Sequence, residues 1–277
     1  MSLRINTNVP SIFAQKHLSR NQERLTSTFD HLSSGMRITK AADDAAGLGV
    51  SERMRAQIRS LRQAMRNCND GISVIQTAES SLGEIADNLM RMRQLAVQAA
   101  SGVLQATERG FLATEFANLQ SEIDRIANVA EFSGLQLSNG TVASLTVQVG
   151  INNTVANDQI TLNLQNATTT ALAVTAATAI LTNETTSFAS ISVIDTALTS
   201  VNTSRSSYGA AQNAITSSLH NLESYTENLV AAESRIRDVD FAMETAELAR
   251  NTVFQQAGIA ILAQSNQTPQ AALQLLQ

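Results

Sequence analysis

Tryptophan is absent from the 277 residues, aromatic side chains make up 4%, and only two prolines occur, Pro10 and Pro269. A core without large rings has to be thin and built from aliphatic and alanine side chains. With both breakers near the margins, nothing between them need interrupt a helix. A single cysteine excludes an intramolecular disulfide. No apolar run approaches the ~18 residues of a membrane-spanning helix, and Met1 to Ser11 lacks the charged start and apolar run of a secretory signal. With 19 basic against 24 acidic residues, a net charge of -5 and a pI near 5.3, the chain does not read as a nucleic-acid binder. Catalytic signatures are missing as well. His17, His31 and His220 have no metal-ligand spacing, and there is no phosphate-binding loop, dinucleotide fingerprint or nucleophile elbow. Neither a cofactor nor enzymatic activity is expected, nor insertion into a membrane.

What the sequence does contain is a heptad seam. Met54, Ile58, Leu61, Met65, Cys68, Ile72, Ile75, Ala78, Leu82, Ile85, Leu89, Met92, Ala96, Ala99 and Val103 alternate steps of four and three without a slip. Such a helix is a rod of roughly 75 Å, too long for the interior of a compact domain. It therefore requires antiparallel partners. The shorter seam Leu112, Phe116, Leu119, Ile123, Ile126, Ala130 supplies one, and the long series from Ile191 to Ile236 supplies the other. Cys68 occupies a core position and reads as an inert buried thiol. Arg55, Arg59, Arg62 and Arg66 flank the seam, where coiled coils carry solvated charges or salt bridges to another subunit.

Between the helical stretches the period changes. Leu145-Thr-Val147-Gln-Val149 and Ile160-Thr-Leu162-Asn-Leu164 alternate, which predicts a β-hairpin across about 141–165. Residues of about 166–188 are rich in Thr and Ala without a firm period and read as short variable surface structure. Asp43 and Asp44, ahead of the long helix, read as helix caps and not as metal ligands. The two ends carry apolar stripes of their own: Ile5, Val9, Ile12, Leu18, Leu25 and Leu32 at one, and Ala242, Ala246, Ala249, Val253, Ala257 and Ala260 at the other, where Ile261 and Leu262 occupy further faces. Apolar groups on all sides imply more neighbours than one terminal partner can provide. The fold class is mainly α, an elongated antiparallel bundle of long coiled-coil helices with a small β-hairpin region.

The motifs Ile5-Asn-Thr-Asn8, Leu32-Ser-Ser-Gly-Met-Arg-Ile38, Ala41-Ala-Asp-Asp-Ala-Ala-Gly47, Asn69-Asp-Gly-Ile-Ser73, Ser234-Arg-Ile-Arg-Asp-Val-Asp240, Gln255-Gln-Ala-Gly258 and Leu262-Ala-Gln-Ser-Asn-Gln267 together resemble the bacterial flagellins. The resemblance implies a terminal coiled-coil layer from residues 1–40 and 238–277, a helical rod domain over 41–237, and no large outer domain. It implies a structural subunit that self-assembles into the flagellar filament for swimming motility, located outside the cell and exported without a cleaved signal peptide. The stripe residues Ile5, Ile12, Leu18, Leu25, Leu32, Ala246, Val253, Ile261 and Leu262 would then serve polymerisation. Partners implied are further copies of the chain, the filament cap, the hook-filament junction proteins, the flagellar export apparatus and its chaperone, and Toll-like receptor 5. For that receptor the resemblance assigns Arg91, Leu95 and Glu115 to one exposed patch. A junction protein of the same superfamily fits the terminal motifs less fully. A chemoreceptor-type signalling hairpin would lack the β-hairpin, and a flagellin-borne enzyme would need catalytic residues in the central insert.

Overall fold

The four longest helices begin where a side chain takes up free amides of the first turn. Asn8 accepts the Ser11 N–H at 3.2 Å ahead of α1 (Val9–Ser34), whose first turn also accommodates Pro10. Asp44 accepts the Gly47 N–H at 2.9 Å ahead of α2 (Ala45–Ala99). Of the two carboxylates expected to cap, only Asp44 does so. Asp43 instead closes the preceding loop, accepting the Thr39 and Lys40 N–H groups and the Thr39 hydroxyl. The structure, a computed structural model, describes residues 7–274, and side chains as far as 267.

The next connection is tied at both sides. Arg109 donates to the Ala99 and Ser101 carbonyls at 2.9 and 2.8 Å, satisfying the end of α2 from within α3 (Ala106–Val129). Glu108 accepts the Gln105 N–H at 2.9 Å. Val103, the last member of the expected seam, lies beyond the helix and is 89% exposed. A small hairpin that alternation could not reveal follows: β1 (Glu131–Phe132) and β2 (Leu135–Gln136) are two residues each, joined by Ser133 and Gly134 with φ of 51° and 82°. The expected hairpin is present as β3 (Ser144–Gln148) antiparallel to β4 (Gln159–Asn163), with Ser144 opposite Asn163 and Gln148 opposite Gln159. One turn of helix, α4 (Val155–Asp158), lies in its connection. Two long helices complete the chain, α5 (Glu184–Arg237) and α6 (Phe241–Gln274).

The described residues divide into two units, one of residues up to 58 with those from 227 onward, the other of residues 59–226. In the second unit, partners climb α2 as they descend α5. Arg93 binds Asp195 at 2.6 Å, Glu79 faces Arg205 at 3.5 Å, and Met65 Sδ lies 3.9 Å from the Thr226 hydroxyl. The two helices are therefore antiparallel, as the heptads required. The buried face of α2 is wider than the seam: Ala64, Val74, Ala86 and Leu95 are buried beside Leu61, Cys68, Leu82 and Leu89. A second layer explains the extra width, since Phe116 and Ile123 of α3 and Val147 and Leu162 of the larger hairpin join Ile194, Val201 and Ile215 of α5 in the core. A Cβ at Gly71 would lie 3.0 and 3.1 Å from the Val147 methyls, so glycine is what lets the hairpin approach α2.

The 166–188 stretch departs from its expected surface character. Ala167, Val174, Ala179 and Leu181 are 2% exposed or less. Asp124 on α3 accepts the Thr169 N–H and hydroxyl, both at 2.8 Å, Gln120 donates to the Val174 carbonyl, and the buried Tyr208 hydroxyl accepts the Gln165 N–H at 3.0 Å. Side chains of α3 and α5 thus replace the ladder that this segment lacks.

Candidate functional site

In the first unit α1 and α6 pair antiparallel. Asn8 donates to the Ser265 carbonyl at 2.9 Å, Asn21 to the Asn251 carbonyl at 2.7 Å, and Gln255 to the Gln22 side chain at 2.8 Å. The residues turned inward keep a three-four spacing that ignores polarity: Ser11, Ala14, Leu18, Asn21, Leu25, Thr28 and Leu32 on α1, and Glu244, Leu248, Asn251, Gln255, Gly258, Leu262 and Ser265 on α6. Polar residues at such positions fix register while weakening the pair. Asn251 is 1% exposed and neither atom of its side-chain amide has a hydrogen-bond partner, which costs stability outright.

This seam sorts the expected polymerisation residues into two groups. Leu18, Leu25, Leu32 and Leu262 turn toward the intrachain partner. Ile12, Ala246, Val253 and Ile261 turn away from it and are exposed, while Ile5 lies outside the described residues. The rest of the alanine stripe, Ala242, Ala249, Ala257 and Ala260, is exposed as well. With it go Phe13, Phe29, Phe241, Met243, Phe254 and Ile259, each more than half exposed. A monomer seldom leaves so many large apolar side chains of one helix pair in water. The polar inner positions carry no apolar period, and only heptad spacing counted without regard to polarity marks them.

The unit is tied at its base by Arg237. Its guanidinium donates to Glu52 at 2.7 Å and to Met36 Sδ at 3.1 Å, its carbonyl accepts the Arg37 N–H at 2.7 Å, and Met36 forms an antiparallel bridge with Asp238. The Arg237 hydrogen bond, followed by that of Arg55, holds the Glu52 carboxyl below its usual range.

In the second unit, Arg91 and Glu115 meet at 2.7 Å and are half exposed. Leu95 is not part of that surface. At 1% exposure it lies in the core, because the buried face of α2 extends past the heptad seam to include it.

The bacterial flagellin N-terminal helical region matches residues 5–143, and the bacterial flagellin C-terminal helical region matches residues 191–276. A flagellin of Halalkalibacterium halodurans is 44% identical over 272 residues, covering 98% of this chain and 99% of the relative. The chain belongs to the bacterial flagellins. A flagellar filament 33 kDa core protein of Treponema phagedenis is 38% identical across 98% of this chain and 99% of its own. The crystal structure of Bacillus cereus flagellin covers 61% of this chain and 94% of that one, at 32% identity and a TM-score of 0.50. As the Halalkalibacterium match leaves no room for a large insertion on either side, both are short flagellins. A flagellin is a structural protein and not an enzyme; it self-assembles into the extracellular filament that drives motility. No helix among the described residues of this flagellin is long and apolar enough to cross a membrane.

Proposed function

We propose that the chain polymerises through the outward apolar faces of α1 and α6, with the terminal pairs of neighbouring copies covering one another. What supports this reading is the exposure of Ile12, Phe13, Val253, Phe254 and Ile261 on the side away from the intrachain seam. Apolar surface of that extent is stabilised by removal from water, at roughly 25 cal/mol per Å². A subunit with different surfaces at its two ends joins head to tail and need not close, which gives a filament. In this reading residues 1–40 and 238–277 form the assembling layer and 41–237 a rod. Family membership supports the remaining partners: the filament cap and hook-filament junction proteins at the ends of the polymer, the export apparatus and its chaperone during passage without a cleaved signal, and Toll-like receptor 5 at the Arg91–Glu115 surface.

Val253→Asp and Ile261→Asp test the reading. Each replaces an exposed side chain, so the monomer keeps its helix content by circular dichroism. Sedimentation in high salt is expected to find monomer for both, and polymer for Phe111→Asp, a change at an exposed apolar residue of α3. Filaments from the α6 variants would overturn it.

A further inference from the structure

Arg59, Arg62 and Arg66 of α2 are exposed, lie three and four residues apart, and have no acid among them. Residues at that spacing are neighbours on a helix surface, so like charges there repel and weaken it. The described part of the chain does not relieve the row. Arg59 and Arg62 meet no carboxylate, and Arg66 turns back to the neutral Gln63 side chain, 3.1 Å from its Nε, and not onward to Asp70.

Further along the same helix the sign reverses. From residue 67 to residue 90, α2 carries Asp70, Glu79, Glu84 and Asp87 and no basic residue. Glu79 is met by Arg205 at 3.5 Å, whereas Glu84 and Asp87 are exposed and unpaired among the described residues. Both stretches lie on one face, since Arg59, Arg66, Ser73, Ser80 and Asp87 follow at intervals of seven and are all exposed. Where this face reaches the end of α3 it borders a groove lined by Ser73, Ser80, Glu84, Val129 and Glu131. Arg125 also lines the groove, but its charge is met by Glu122 at 2.6 Å. Val129 is 62% exposed there, so the groove offers apolar contact between its two free carboxylates. All of these residues belong to the second unit. The face is thus basic, then uncharged around Ser73, then acidic, and it complements itself after a shift of about 23 residues, roughly 35 Å at 1.5 Å per residue.

We propose that this face docks a second copy of the chain, parallel and displaced along α2, so that Arg59, Arg62 and Arg66 of one copy meet Glu84, Asp87 and Glu131 of the next. An antiparallel pairing would satisfy both copies at once and close as a dimer; the displaced parallel one leaves a basic and an acidic stretch free and repeats without closing, as a filament requires. Charges of this kind set register and association rate more than affinity, which leaves the apolar faces of α1 and α6 to supply burial. The docking rests on self-assembly as such and is a contact separate from the terminal one.

The test follows elongation of the full-length chain from sheared filament seeds, each variant on seeds of its own kind, at about 0.1 M salt and again at about 1 M, where charges are screened beyond about 3 Å. Arg59→Glu with Arg66→Glu, and Glu84→Arg with Asp87→Arg, replace exposed residues by others that suit a helix, and circular dichroism should match the parent. Each pair of changes is expected to slow elongation at least about tenfold at the lower salt and much less at the higher. The chain carrying all four exchanges, and an equimolar mixture of the two double variants on parent seeds, should return to within about threefold of the parent rate. Parent-like elongation by both double variants overturns the docking, as does failure of both the fourfold exchange and the mixture to restore it. A parent chain that sediments as a closed dimer at about 0.1 M salt overturns it too, since the faces then meet antiparallel. Val253→Asp keeps the two contacts apart: free elongation of that variant counts against the terminal faces and leaves the charge exchange to be judged by itself.

Discussion

Arg91 on α2 reaches Glu115 on α3 through both Nε and Nη2, 2.9 and 2.7 Å from the same carboxylate oxygen. Leu95, one turn further along α2, is in the core. The two kinds of residue should therefore fail differently. Ion pairs as exposed as this one contribute little to stability. Arg91→Ala is expected to leave the thermal midpoint within ~2 °C of the parent and, under the receptor reading proposed above, to remove most of the parent's signalling through Toll-like receptor 5. Leu95→Ala is expected to cost ~2–5 kcal/mol, and to lose signalling only as far as it loses fold. Unfolding curves and a receptor assay on both variants decide the matter; an unchanged response to Arg91→Ala removes this surface from recognition.

Cys68 has no exposed surface, and burial pushes its thiol up. A thiol reagent needs both access and thiolate. Labelling of the native chain is expected to run on the order of a hundredfold slower than in denaturant, at a rate set by opening of the second unit. Fast labelling of the folded chain would place Cys68 on the wrong face of α2.

Asp43 makes the loop between α1 and α2 acid-sensitive. The Lys40 and Thr39 amides lower its carboxyl from 3.8 to about 2. A depressed value in the folded chain means a stabilising contribution that is complete above about pH 4 and fades as pH falls toward about 2. Asp43→Asn removes the titration. The acid limb of loop protection, followed by hydrogen exchange at the Thr39 and Lys40 amides, is expected to flatten in the variant, and an unaltered acid limb would show that another carboxyl governs it.

How far the sequence reaches can be judged from particular elements. Strict heptads spell out α2 and α5, and alternation spells out β3 and β4, because in each case burial and polarity coincide. Where they part company the reading fails. Leu18, Leu25 and Leu32 mark one half of the α1–α6 seam by their spacing, but Ser11, Asn21, Thr28 and Asn251 are inward and polar and carry no apolar period. Val174 and Leu181 are buried one at a time on a path with no period, and β1 and β2 are too short for one. Leu95 departs from the exposed patch that the resemblance assigns it to, because α2 buries a wider stripe than a heptad seam. The outward apolar residues of α6 were legible as apolar all round, but not which of them the chain covers by itself.

Deleting Asp238 to Gln277 should separate the two units. Among the described elements α6 is the one that pairs along α1, so its removal exposes Leu18 and Leu25 and breaks the bridge between Met36 and Asp238. Ordering the backbone of α1 costs ~1–2 kcal/mol per residue, and a helix with one turn-to-turn apolar row and no partner buries too little to offset that. Helix content should therefore fall by the 26 residues of α1 as well as the 34 of α6. The second unit has its own core, from Leu61 to Ala99 on α2 with Phe116, Ile123, Val201 and Ile215, and should still unfold cooperatively by circular dichroism. Without the outward faces of either terminal helix the truncated chain should sediment as monomer at any salt concentration. Filaments from it would refute assembly through the terminal pair, whereas loss of the cooperative transition would mean that the second unit depends on the first for its fold.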